Sequence, residues 1–169
     1  IDAARGLEAG GAGGFLICSN TLHKKAPEVQ AAVDIPLLHI GDAIAAAIHD
    51  SGATRPLLLA TRFAMEQDFY LGYLRERHGI DAVVPKERDR MEVHRVIYEE
   101  LCQGKVMDSS KRAYMQIIDR ACSDADAPAD SVIFGCTEIG LLITPDDFSF
   151  PAYDTTVLHA EAALTFAGY

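Results

Sequence analysis

The sequence has no tryptophan, no CxxC pair, no low-complexity segment and no apolar run near the roughly 20 residues that span a bilayer. A membrane-spanning helix is therefore not expected. The four cysteines, Cys18, Cys102, Cys122 and Cys136, lack the Cys/His spacing of a zinc module, so no metal site is expected. They are also too few and scattered to form a disulfide framework in a 169-residue chain. They read as reduced cytosolic thiols, each a small core residue or a reactive group, and a cytoplasmic location follows as an expectation. Positive charge is scarce: 15 Lys and Arg against 25 Asp and Glu give a formal charge of −10, with the basic residues dispersed. Phosphate binding needs clustered cations, so no nucleic-acid partner is expected. An anionic ligand would have to be held by local dipoles and hydrogen bonds, because the global field repels it.

What the chain does contain is an alternation of short apolar runs with longer amphipathic ones, the pattern of βαβ units around a parallel sheet. Residues 1–9 read as the end of a helix closed by GGAGG, so at least one earlier βα unit is expected to precede them. Strands are expected at FLIC, at residues 36–40, at PLLLA and at DAVVP. Helices are expected over about 27–32, 42–49, 61–79, 87–102 and 109–122, with Gly52 and Gly79 as stops. Met91, Val93, Val96 and Ile97 form the expected core face of one of these helices. DSVIFGCTE repeats the theme of an apolar run ending on Cys and Thr, and residues 154–169 read as a last helix. The chain is thus expected to be α/β, with two similar three-layer domains, mainly parallel sheets and a cleft between them. The first domain, incomplete at its N-terminal side, takes residues 1–50 plus 150–169, and the second 51–149, with a hinge near 50–55.

The two thiol-bearing stretches, FLICSNT and VIFGCTE, share a plan. In a parallel α/β sheet, functional groups collect at the carboxyl ends of strands, where the next helix offers unpaired N–H groups and positive potential. A thiol placed there is expected to have its pKa lowered toward neutrality, and the neighbouring hydroxyls and amides can bind a carboxylate. Two such turns facing across a cleft suit removal of a proton from one face of a carbon and its return on the other.

SNTLHK after one strand and FGCTE after another, with TRFAMEQDFY and DTTVLHAEAAL in order between and after them, resemble the aspartate/glutamate racemase family over nearly the whole chain. The resemblance implies two α/β domains closing over an amino acid, with paired thiols acting as acid and base on Cα without pyridoxal phosphate or any other cofactor. It also implies a homodimer. In the family's commonest pattern the first cysteine immediately precedes Asn-Thr; here that position is Ser19, with Cys18 one residue earlier. Consecutive strand residues face opposite sides, so Ser19 is expected to face the cleft and Cys18 to be a small buried residue. A serine hydroxyl is a far weaker base than a thiolate. Cys136 is then the expected base and Ser19 a poor partner, which gives unequal activity in the two directions.

Asn20, Thr21 and Thr137 are the implied contacts to the substrate carboxylate, although Asn20 and Thr21 also suit a helix cap. Thr61, at the end of its strand, is placed to reach the cleft as a further substrate contact. Glu138 stands where glutamate racemases carry a histidine, and would orient a neighbour or the substrate ammonium. His23 and His159 match family positions but read first as structural. Cys102 and Cys122 read as helix packing. The absence of a lysine near Leu101 argues against strict aspartate selectivity. Two other readings remain open. One is a single-cysteine enzyme like arylmalonate decarboxylase or maleate isomerase, and the other is a non-catalytic amino-acid-binding module.

Overall fold

The structure, a computed structural model, describes residues 1–169. Two apolar runs form its centre. PLLLA becomes β1 (Pro56–Ala60) and SVIFG becomes β2 (Ser131–Gly135), and all ten residues are buried. A parallel sheet covered on both faces has no use for polar alternation, which explains why both strands read as continuous apolar runs. β1 pairs with β2 in parallel, Leu57 opposite Val132 and Ala60 opposite Gly135. A third strand, β3 (Ala152–Asp154), pairs in parallel with β2, Phe134 opposite Asp154. The sheet order is β1-β2-β3.

The expected strand DAVVP contributes only an isolated parallel bridge, Leu57 to Val83. FLIC and residues 36–40 are likewise reduced to one parallel bridge, Phe15 to Leu37. These two segments pair only with each other. Just beyond, the Ser19 N–H turns back to the Ile17 carbonyl at 2.7 Å, which ends the extended course.

The helices are α1 (Asp2–Ala9), α2 (Ala26–Gln30), α3 (Ile40–Ser51), α4 (Arg62–Glu66), α5 (Asp68–His78), α6 (Glu87–Glu99), α7 (Asp108–Cys122) and α8 (Thr155–Phe166). Gly52 and Gly79 close α3 and α5 in the left-handed region, with φ of 74° and 69°. The single helix expected over 61–79 is broken at Gln67, whose extended backbone (ψ 148°) separates α4 from α5.

A core of 28 buried residues joins Leu57 to Leu59 and Val132 to Phe134 with Ile40, Ile44 and Ile48 of α3, Val93, Val96 and Ile97 of α6, and Ile117 and Ile118 of α7. Met91 is not part of it: its side chain lies at the surface, 63% exposed. α8 packs on α3 and reaches β2 and β3, so the C-terminal helix does return to the N-terminal part of the chain. A small separate cluster of Ala4, Phe15 and Val33 holds the first 33 residues together.

Candidate active site

Strand register brings the site residues to one edge. Ala60 pairs with Gly135 and Phe134 with Asp154, so Thr61, Cys136 and Thr155 all leave the sheet at its carboxyl end. Adjacent strands lie about 4.8 Å apart, which makes the turns after β1 and β2 neighbours. Gly135 allows this closeness. A Cβ there would stand 2.6 Å from Leu58 Cδ1 and 3.0 Å from Ala60 Cβ.

The Cys136 thiol donates to Glu138 Oε2 at 2.9 Å, and the Thr137 hydroxyl donates to the same oxygen at 2.8 Å. Burial, reinforced by the hydrogen bond and negative charge of Glu138, pushes the Cys136 thiol well above the usual cysteine range. The expectation of a lowered thiol pKa is therefore reversed. The main physical reason is burial, and an anionic neighbour adds to it where a three-residue 3-10 turn, Ile139–Leu141, takes the place of a long helix N-terminus. Burial raises the pKa of Glu138 as well, but the bonds donated by Cys136 and Thr137 outweigh it and hold that carboxyl below its ordinary value. The pair therefore rests as thiol plus carboxylate.

The SNT turn docks onto the same edge. Thr21 Oγ1 and Thr61 Oγ1 lie 2.9 Å apart in a shared hydrogen bond. Thr61 also caps α4, its hydroxyl accepting from the Ala64 N–H at 3.4 Å. Asn20 is buried, its Nδ2 donating to Thr155 Oγ1 at 2.9 Å and its Oδ1 accepting from the Tyr70 hydroxyl at 2.9 Å. Ser19 is half-buried, and its Oγ accepts from the Leu22 N–H at 3.3 Å at the start of the 3-10 helix Thr21–Lys25.

Cys18 is exposed, not buried as the strand argument required. Strand alternation does not extend to it, because the chain turns between Ile17 and Ser19. The structure thus joins Thr21 to Thr61 by a direct bond, ties the adjacent Asn20 to Tyr70 and Thr155 instead, and joins Cys136, Thr137 and Glu138 by another set. Strand register sets the two groups side by side.

His23 is structural in its bonding. Its Nε2 accepts from the Ile40 N–H at 3.2 Å, which leaves Nδ1 to donate to the Ser19 carbonyl at 2.8 Å. Burial lowers its pKa to about 4, so the ring is neutral and supports the turn that carries Ser19. His159 Nε2 donates to the Leu38 carbonyl at 2.7 Å. Cys102 lies exposed in the 3-10 turn Leu101–Gln103 rather than packed in a helix, whereas Cys122 is half-buried at the end of α7. No group of three or more His, Cys, Asp or Glu side chains is arranged to hold a metal ion, and no helix is long and apolar enough to cross a membrane.

Sequence reasoning missed Tyr70 and Thr155. Both lie in segments read only as helices, residues 61–79 and 154–169. Nothing in local spacing signals that a tyrosine 50 residues away meets Asn20. An open groove of about 1130 Å³ lies away from these turns, lined by α6 and α7 residues such as Met91, Tyr98 and Arg120, and a cleft of about 390 Å³ lined by His23, His39, Phe69 and Tyr73 adjoins the SNT turn.

A family model described as Asp/Glu/Hydantoin racemase matches residues 1–163. A Yersinia pestis protein proposed as an Asp/Glu racemase is 44% identical, with a TM-score of 0.90 over 98% of this chain and 71% of its own. An aspartate racemase homologue from Pyrococcus horikoshii is 33% identical, with a TM-score of 0.86 over 99% of this chain and 72% of its own. The Picrophilus torridus aspartate racemase shares the fold at 21% identity, with a TM-score of 0.73 over 98% and 67% of the two chains. On the match over nearly its whole length, the chain belongs to the Asp/Glu/Hydantoin racemase family, a family of isomerases.

Proposed function

We propose that this protein racemises an amino acid, aspartate, glutamate or a broader set, by cofactor-independent proton transfer at Cα, with Cys136 as the principal acid and base. The observation that carries this reading is the Cys136 thiol bonded to the Glu138 carboxylate beside the Thr21–Thr61 pair. In the proposed step Glu138 takes the thiol proton, the thiolate removes the α-proton, and the electron pair left on Cα delocalises into the substrate carboxylate. Reprotonation on the opposite face comes from the Ser19 hydroxyl or a water bound to it. Hydrogen bonds from Asn20, from whichever hydroxyl of the Thr21–Thr61 pair keeps its hydrogen free, and from Thr137 once Glu138 is protonated stabilise the charge that develops on the carboxylate.

The protonated Cys136 thiol must give up its proton before it can act as a base, and a serine hydroxyl is a poorer base still. The two directions are therefore unequal. Exclusion of water from the occupied site strengthens each bond. A cytoplasmic homodimer is the proposed working form, to be checked by sedimentation velocity.

The test is chiral chromatography of products from pure L- and D-aspartate and L- and D-glutamate. Interconversion with clearly different initial rates from the two enantiomers is expected, and Cys136→Ala should abolish it. No interconversion of any amino acid in a wider panel would overturn the reading. The resting thiol also favours a second reading, one-sided protonation of an enolate formed by decarboxylation. Turnover of an arylmalonate in the absence of racemisation would select it.

A further inference from the structure

Asn20 is the most constrained polar side chain at the sheet edge. Thr155 Oγ1 donates to the Phe134 carbonyl at 2.8 Å, so its only hydrogen is committed and it must accept from Asn20. The Asn20 amide is therefore oriented with Nδ2 toward Thr155 and Oδ1 toward Tyr70, whose hydroxyl donates at 2.9 Å. Tyr70 and Thr155 are both buried, and burial raises the Tyr70 pKa far above the ordinary tyrosine value, so the phenol remains a donor. Every bond in the chain from Tyr70 through Asn20 and Thr155 to Phe134 has one consistent direction, and it ties α5, the SNT turn, α8 and β2 together. An amide has two Nδ2 hydrogens, and this arrangement uses one. The second has no acceptor in the protein.

We infer that Tyr70 and Thr155 are positioning residues: they fix the Asn20 amide so that its second Nδ2 hydrogen stays available to the substrate carboxylate. The inference rests on the proposed role of Asn20 in binding that carboxylate. Without Tyr70 the buried Oδ1 loses its donor. Without Thr155 the Nδ2 side loses its acceptor, and in either case the amide is free to rotate and direct its spare hydrogen elsewhere.

The experiment compares Tyr70→Phe, Thr155→Val and Thr155→Ser with the parent chain. Fold is checked by circular dichroism, exchange of the α-proton by proton NMR in deuterated buffer, and the Asn20 side-chain amide by nitrogen-15 NMR. Expected are a rise in KM of about tenfold for Tyr70→Phe and Thr155→Val, the loss of one directed hydrogen bond. kcat should change much less, and Thr155→Ser, which keeps the hydroxyl, should restore KM. The Asn20 amide signals should be sharp and protected in the parent and in Thr155→Ser, and exchange-broadened in the other two.

If Thr155→Val does not fold, Tyr70→Phe, which keeps the ring, carries the test. An unchanged KM with protected Asn20 signals in Tyr70→Phe would overturn the inference, as would Thr155→Ser behaving like Thr155→Val. If the parent exchanges no amino acid, it is the racemase reading that fails. The Asn20 amide signals then still decide whether Tyr70 and Thr155 hold that side chain.

Discussion

At the scale of single residues, the pairing of a thiol with a carboxylate sets the chemistry. Glu138 acts on Cys136 in two opposed ways: its charge and hydrogen bond keep the thiol protonated, yet it is the nearest group able to take the thiol proton. Glu138→Gln separates the two. Removing the negative charge lowers the thiol pKa, so site-resolved mass spectrometry at pH 8 should find Cys136 alkylated by iodoacetamide faster than in the parent. Racemisation should nonetheless fall by at least about tenfold, as expected on losing a proton acceptor. Slower alkylation would show that Glu138 activates rather than restrains the sulfur.

Cys18→Ala should leave activity within about twofold of the parent, since an exposed side chain outside the turn contacts contributes little. The motif residues themselves were legible as a type, CTE directly after β2 and SNT after a segment that pairs only through Phe15. The protonation state of Cys136 was not. It depends on burial and on a short 3-10 turn, neither of which leaves a periodic trace in sequence.

At the scale of elements, the site depends on how closely β1 and β2 approach at their carboxyl ends. Gly135→Ala would drive a methyl into the end of the buried Leu58 side chain and against Ala60 Cβ, which is fixed to its strand, so Leu58 must repack in a filled core. A destabilisation of about 1 to 3 kcal/mol is expected, read as a lower urea midpoint at unchanged m-value, together with reduced racemisation because Cys136 is the next residue. An unchanged midpoint would mean that the edge is looser than its geometry indicates.

The strands that could be read from sequence are those with partners on the sheet, PLLLA and SVIFG. FLIC had the right composition but pairs through a single bridge. β3 had the opposite fate: three residues, Ala152, Tyr153 and Asp154, are too few to show a period but find a place beside β2. The break at Gln67 was equally invisible, since no glycine or proline marks it.

At the scale of the whole molecule, α3, α8 and the SNT turn meet around a cluster of His23, His39 and His159, with ring centroids 4.5 Å apart for His23 and His39 and 5.7 Å for His23 and His159. Burial first lowers the pKa values of His23 and His39 to about 4; the Ser19 carbonyl bond opposes it at His23, repulsion from His159 at His23 and from His23 at His39 adds to it, and nearby Asp42 opposes it at both. A histidine whose folded pKa is depressed favours the neutral form in the fold. The unfolded chain then binds more protons than the folded one between about pH 6.5 and 4. Stability should be flat from pH 8 to 7 and should decline as pH falls through that window. Thermal unfolding across this range checks it. His39→Asn, which keeps an N-cap for α3, should make the decline shallower. A Tm that holds steady down to pH 4.5 would show that these rings do not couple folding to protonation.

Ile40, Ile44 and Ile48 of α3 share one core with β1 and β2, a packing that no periodic pattern in the sequence signals.

The most direct measurement of the role of Cys136 is solvent deuterium incorporation at Cα of L- and D-glutamate and aspartate, followed by NMR for the parent, Cys136→Ala and Ser19→Ala. Incorporation is expected in the parent, faster from one enantiomer, with none in Cys136→Ala and a residual one-sided exchange in Ser19→Ala. Incorporation that survives Cys136→Ala would contradict the assignment of that thiol as the base.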